Sequence, residues 1–84
     1  MAQRSGTDRA RHTLAYLRRQ ITTGAWPVGS RIPVEQELAE SLGVGRSTVR
    51  EAVRSLANMG MLETAPGRGT FVRSATPSSS LLNE

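Results

Sequence analysis

Apolar positions in this chain fall into three helical stripes, followed by two short runs that read as strands. Ala10, Leu14, Leu17 and Ile21 lie three or four residues apart and form one face of a first helix. Thr7 or Asp8 can cap its start and Gly24 stops it. A turn through Trp26 and Pro27 follows, and Arg31–Ile32 can form a very short strand. Pro33 and the glutamates after it suit the start of a second helix, whose inner face is Leu38, Ala39 and Leu42. Gly43 and Val44 break it. The third helix runs from about Arg46 to Asn58, with Val49, Ala52, Val53 and Leu56 as its stripe, and Gly60 closes it. Met61–Leu62–Glu63–Thr64 and Thr70–Phe71–Val72–Arg73 then read as two strands around a turn of Ala65-Pro66-Gly67-Arg68-Gly69. The fold class this predicts is α+β: three helices plus a small antiparallel hairpin.

The two ends lack such a pattern. Residues 1–6 are polar and expected to be disordered. Residues 74–84 begin as a Ser/Thr/Pro-rich linker. They end in Leu81, Leu82, Asn83 and Glu84, the start of something apolar that lies outside these 84 residues. The expected domain therefore spans 7–73. A chain of this size has room for one small core and little room for an enclosed catalytic cleft.

Charge changes the picture. The net charge of +4 comes from 11 basic and seven acidic residues, and every basic residue is arginine. A GC-rich genome favours arginine codons, and arginine also presents a planar donor fork that matches phosphates and guanine edges. The charge is segregated: residues 1–33 carry six Arg and Asp8, residues 34–44 carry Glu35, Glu37 and Glu40, and residues 45–73 carry five Arg against Glu51 and Glu63. Basic segments flank an acidic one, which suggests one face for an anion and another turned away from it.

No cysteine is present, which excludes disulfides, thiolate metal sites and cysteine nucleophiles. The only histidine is His12, and no acidic pair sits with it in a plausible pocket, so it reads as a surface residue of the first helix. No catalytic group, metal site or cofactor is expected. No apolar run reaches membrane-spanning length and the N-terminus has no secretory pattern, so a cytoplasmic protein with no membrane partner is expected.

The functional constellation lies at residues 36–55, which have the spacing of a helix-turn-helix. Ala39 is small where two helices approach, and Gly43 permits the turn between them. The outward face of the third helix carries Arg46, Ser47, Arg50 and Arg54. The three arginines are four apart and line one side, where they repel one another unless an anion is near. A recognition helix puts its N-terminal residues against base edges in the major groove. Arg46 or Arg50 is thus expected to read guanine, Ser47 and Thr48 to offer hydroxyls, and the amides of Gly45 to Thr48 to attract phosphate. Arg54 lies deeper, as a phosphate contact or an ion pair in the neighbourhood of Glu51. Gln36 can reach the DNA backbone across the groove. In the hairpin, Pro66-Gly67-Arg68-Gly69 places Arg68 at an exposed tip suited to a minor groove. A protein-interaction module is the rival reading, and it calls for an apolar or mixed-charge third-helix face.

These residues resemble the GntR family of bacterial transcriptional regulators. The resemblance covers about residues 8–73. It rests on Gly24-Ala-Trp-Pro-Val-Gly29, Arg31-Ile32-Pro33, Glu35-Gln-Glu-Leu-Ala39, Leu42-Gly-Val-Gly-Arg46, Thr48-Val-Arg-Glu-Ala-Val53, Leu56, Gly60 and Gly67-Arg-Gly-Thr-Phe-Val72. The Val49-Arg50-Glu51-Ala52 form is most similar to the FadR-like subfamily. The resemblance implies a winged helix-turn-helix, with a wing at about 61–73. It implies contacts to double-stranded DNA by Gln36, Gly45, Arg46, Ser47, Thr48, Arg50, Pro66, Gly67 and Arg68. It also implies a ligand-responsive repressor that binds a palindromic operator as a homodimer. The small-molecule effector would act through a separate domain, which these 84 residues do not supply. Two positions depart from the family pattern: Gly45 stands where Ser or Thr is frequent, and Gln36 where some members carry Arg.

Overall fold

The computed structural model describes residues 6–77. Three helices precede a two-stranded antiparallel sheet: α1 (Gly6–Thr22), α2 (Glu35–Leu42), α3 (Arg46–Asn58), β1 (Leu62–Ala65) and β2 (Gly69–Val72). This is the expected winged helix-turn-helix. Gly6 begins α1 rather than ending a disordered tail. Thr7 and Asp8, expected as caps, lie inside the first turn, where the Asp8 carboxylate suits the positive end of the helix. The rest of that expected tail, residues 1–5, lies outside the described residues, as do residues 78–84 of the expected linker.

One core joins all the elements. Leu17 and Ile21 of α1 meet Val49, Ala52 and Leu56 of α3, and Ile32, Leu38, Ala39, Met61, Leu62 and Val72 close around them. Burying each large aliphatic side chain contributes on the order of 1.5–3 kcal/mol, which is what holds so small a domain together. Leu42, expected on the inner face of α2, is only half-buried and lines a surface depression with His12 and Thr13. After α1 the chain folds back: the Trp26 N–H donates to the Gln20 carbonyl at 2.8 Å, and its ring meets Tyr16 edge-on at 6.4 Å.

The turn between α2 and α3 depends on Gly43, in the left-handed region at φ 70 and ψ 34. Its N–H and that of Val44 both return to the Ala39 carbonyl. At the other end of α3, Gly60 donates to Ala57 at 3.0 Å and Met61 to Leu56 at 2.9 Å, the paired bonds of a Schellman motif. Met61 and Leu56 are both fully buried, which supplies the apolar contact that accompanies it.

Met61 is thus spent on capping α3, and the hairpin starts one residue later than the pattern predicts. Leu62 pairs with Val72, Glu63 with Phe71, Thr64 with Thr70 and Ala65 with Gly69. The Arg68 N–H closes the turn on the Ala65 carbonyl at 2.9 Å, with Pro66 and Gly67 at its centre. The short strand expected at Arg31–Ile32 is a single bridge, Arg31 to Phe71. Beyond β2, Arg73 and Ser74 both donate to the Met61 carbonyl and Ala75 packs on the core. The first residues of the expected linker therefore belong to the domain.

Candidate nucleic-acid interface

The start of α3 is open. Gly45 is its N-cap, in an extended conformation at φ −77 and ψ 159, and offers no side-chain cap. The Gly45 carbonyl accepts from Thr48 at 3.1 Å and from Val49 at 3.3 Å. Among the described residues the amides of Arg46 and Ser47 have no acceptor, so they are open to solvent or to a ligand. Thr48 corrects the sequence reading: its amide is engaged and the residue is half-buried, so it is not part of an exposed amide cluster. No acidic residue lies in the first turn. The dipole of α3 and the Arg46 charge therefore add at one exposed end.

The arginine stripe is not uniform. Arg50 is held by Glu35 at the start of α2, with Nε to Oε2 at 3.3 Å and Nη2 to Oε1 at 3.3 Å. Arg54 meets Glu51 one turn back at 3.6 Å, the ion pair that was the alternative to a phosphate contact. Both pairs are exposed, so each is worth about 1 kcal/mol or less and can be traded for another anion. Among the described residues, Arg46 alone of the three has no carboxylate partner. The mutual repulsion expected along the stripe is therefore relieved at two positions by the protein's own acids.

The structure groups the candidate residues into three places. Exposed Gln36 on α2 and Arg46 on α3 line one shallow depression, with Ala39, Glu40 and Val44 at its floor and sides. Arg50 and Arg54 line a cleft of about 430 Å³ between α3, the start of α2 and the hairpin residues Thr64, Gly69 and Thr70. Pro66, Gly67 and Arg68 stand exposed at the hairpin tip. Ser47 is exposed beside Arg46.

Two residues outside the sequence prediction shape this surface. Glu35, which the sequence places in the acidic first turn of α2, grips Arg50 across fifteen positions of chain. Arg31 donates from Nη1 to the Arg68 carbonyl at 3.2 Å, inside the hairpin tip. The spacing of one helix signals neither contact. The pair of glycines around Arg68 does signal a close approach, but not what makes it.

No helix among the described residues is long and apolar enough to cross a membrane. Comparison with known proteins supplies the family. The model of the bacterial regulatory proteins of the gntR family matches residues 9–72. A histidine utilization repressor of Pseudomonas aeruginosa is 47% identical over 53 residues, covering 63% of this chain and 21% of that protein. A probable fructoselysine utilization operon transcriptional repressor of Escherichia coli is 38% identical and covers 93% of this chain and 35% of that protein. The chain thus spans about a fifth to a third of these relatives. Among solved structures, a GntR protein of Streptococcus agalactiae superposes with a TM-score of 0.74 at 46% identity, covering 87% of this chain and 36% of that one. AraR(DBD), solved in complex with operator ORR3, superposes with a TM-score of 0.73 at 33% identity, covering 76% of this chain and 77% of that one. With the core, the turn and the hairpin of a winged helix behind it, the match leaves one assignment: the chain belongs to the GntR family of bacterial regulatory proteins.

Proposed function

We propose that this chain binds double-stranded DNA sequence-specifically, as the DNA-reading part of a transcriptional repressor. The observation that carries the reading is Arg46, exposed and without a carboxylate partner at the uncapped start of α3, with Gln36 beside it. That arrangement offers a guanidinium fork and two free amides to a base edge and its phosphate. The start of α3 enters the major groove, where Arg46 reads guanine and the Ser47 hydroxyl and the amides hold phosphate. Thr48 and Gly45 shape that end. Arg50 exchanges Glu35 for DNA, and Arg54 exchanges Glu51. The tip Pro66-Gly67-Arg68 enters the adjacent minor groove, where the potential favours arginine. The operator complex of AraR(DBD) supports DNA as the partner, and the names of the two relatives support repression.

The longer relatives also support an effector domain outside residues 1–84, reached through a linker that begins beyond Ala75. In that arrangement two copies bind a palindromic operator, and tethering the two modules raises their avidity. Val49-Arg50-Glu51-Ala52 favours a FadR-like member of the family.

Fluorescence anisotropy against random duplex DNA across a salt series tests the reading. Binding at low salt with a logarithmic slope of about −2 to −4 is expected, for two to four phosphates neutralised. The pairing of Arg50 and Arg54 with acids favours the rival reading, a protein-interaction module. No binding at low salt, or a flat salt dependence, decides for that rival.

A further inference from the structure

Residues 29–32 run beside β2 as a third rail. Gly29 donates to the Val72 carbonyl at 2.8 Å, Val72 to Ser30 at 2.9 Å, and Ile32 to Thr70 at 2.9 Å. This fixes the Arg31 backbone against the hairpin. The side chain then crosses to the tip. A Cβ placed on Gly69 would fall 2.7 Å from Arg31 Cδ and 3.2 Å from Cγ, so the arginine stem fills the space a side chain there would need. At the far end of that stem, Nη1 donates to the Arg68 carbonyl. The tip has little else to hold it. Arg68 stands between two glycines at positive φ, Gly67 at 77 and Gly69 at 123. Among the described residues, apart from the strand pairing and the Thr64–Thr70 hydroxyl contact at 3.4 Å just below the tip, one turn bond, from Arg68 to Ala65, closes the loop.

We propose that Arg31 is the positioning residue of the wing: it holds the Arg68 backbone and so sets the direction in which the Arg68 side chain leaves the tip. The glycine at 69 is part of the same device, because it makes room for the brace. This rests on the DNA-binding reading for its consequence, but the bracing itself does not need DNA.

The test uses Arg31→Met, which keeps an unbranched stem over Gly69 and removes the donor and the charge, and Arg31→Lys, which keeps a charged donor. Amide order parameters of the free protein come first. In the wild type and in Arg31→Lys, Gly67 and Arg68 stay near the rigid value of about 0.85; in Arg31→Met they fall to below about 0.6, while Tm is unchanged. Unaltered order parameters in Arg31→Met overturn the proposal, whatever DNA does. The second arm titrates a duplex selected by the wild-type chain from a random-sequence pool. Arg31→Met weakens binding about threefold to tenfold, the range set by one exposed hydrogen bond. On an Arg68→Ala background it has no further effect. Additive losses overturn the positioning role and make Arg31 a direct phosphate contact. If Arg68→Ala itself leaves affinity unchanged, the wing does not touch DNA and the consequence drawn for DNA fails, separately from the bracing read by the order parameters.

Discussion

The two helices of the helix-turn-helix begin on nearly the same backbone and with opposite charge. Val34 precedes α2 at φ −69 and ψ 159, and Gly45 precedes α3 at φ −77 and ψ 159; neither provides a side-chain cap. In α2 the first turn holds Glu35 and Glu37. Each carboxylate near the positive end of a helix stabilises it by about 0.3–1 kcal/mol. In α3 the first residue is Arg46 and no acid is present, so the same dipole is opposed. The contrast separates a helix start whose dipole is complemented by the chain's own carboxylates from one that leaves its positive end open to an anion from outside. The complemented start also serves the open one, because Glu35 reaches over to hold Arg50 in place.

Reversing the charge at the open start is the strongest way to break this contrast. Arg46→Glu gives α3 the same kind of first turn as α2, so the free domain is expected to gain about 0.3–1 kcal/mol in urea unfolding. Binding to a selected operator should fall by a factor of about 100 or more, since a base contact worth about 1–3 kcal/mol is replaced by repulsion. A variant that loses stability, or keeps its preference for operator over random DNA, removes the contrast.

Capping the open start is a milder intervention. Gly45 has an extended backbone that any residue adopts, and an added Cβ meets nothing nearer than Ser47 Oγ at 3.9 Å. Gly45→Ser is expected to raise stability by about 0.5–1 kcal/mol, from the hydroxyl cap and from a less flexible unfolded chain. Chemical denaturation measures this, and a loss would show that the helix start needs glycine for another reason.

Releasing Arg50 sharpens the comparison from the α2 side. With Glu35→Gln, affinity for random DNA should rise, because Arg50 no longer gives up a carboxylate to reach phosphate, while the salt slope stays about the same, since Arg50 neutralises one phosphate in either complex. Stability should shift by less than about 1 kcal/mol, because the pair is exposed. Unchanged affinity would mean that Arg50 makes no DNA contact. The smallest effect is expected from Glu51→Gln: the Arg54 pair is a single 3.6 Å contact at the surface, so stability should change by less than about 0.5 kcal/mol.

Local pattern reached a long way into this fold. The bounds of α3 follow from its apolar stripe and its flanking glycines, and they stand at Arg46 and Asn58 as read. The turn at Gly43 and the exposed tip at Arg68 are legible for the same reason: they depend on the conformational freedom of one residue and its neighbours. The strand limits were one residue out because Met61 had two possible uses. Cap hydrogen bonds and core burial claim it for the end of α3, a competition that pattern alone does not resolve.

Among the candidate DNA-contacting residues, identity is legible in the sequence, and availability is decided by tertiary structure except at Arg54, whose partner Glu51 is a neighbour on the same helix. Arg46, Arg50 and Arg54 form one stripe on any helix, since four-residue spacing guarantees it. Which of them is free is a different matter. Glu35 reaches Arg50 from another helix, and Arg31 reaches the carbonyl of Arg68 from thirty-seven positions away. A charge or donor so distant in sequence leaves no periodic trace. Helical and turn geometry act within a few residues, whereas electrostatic pairing depends on where the packed core sets one element against another.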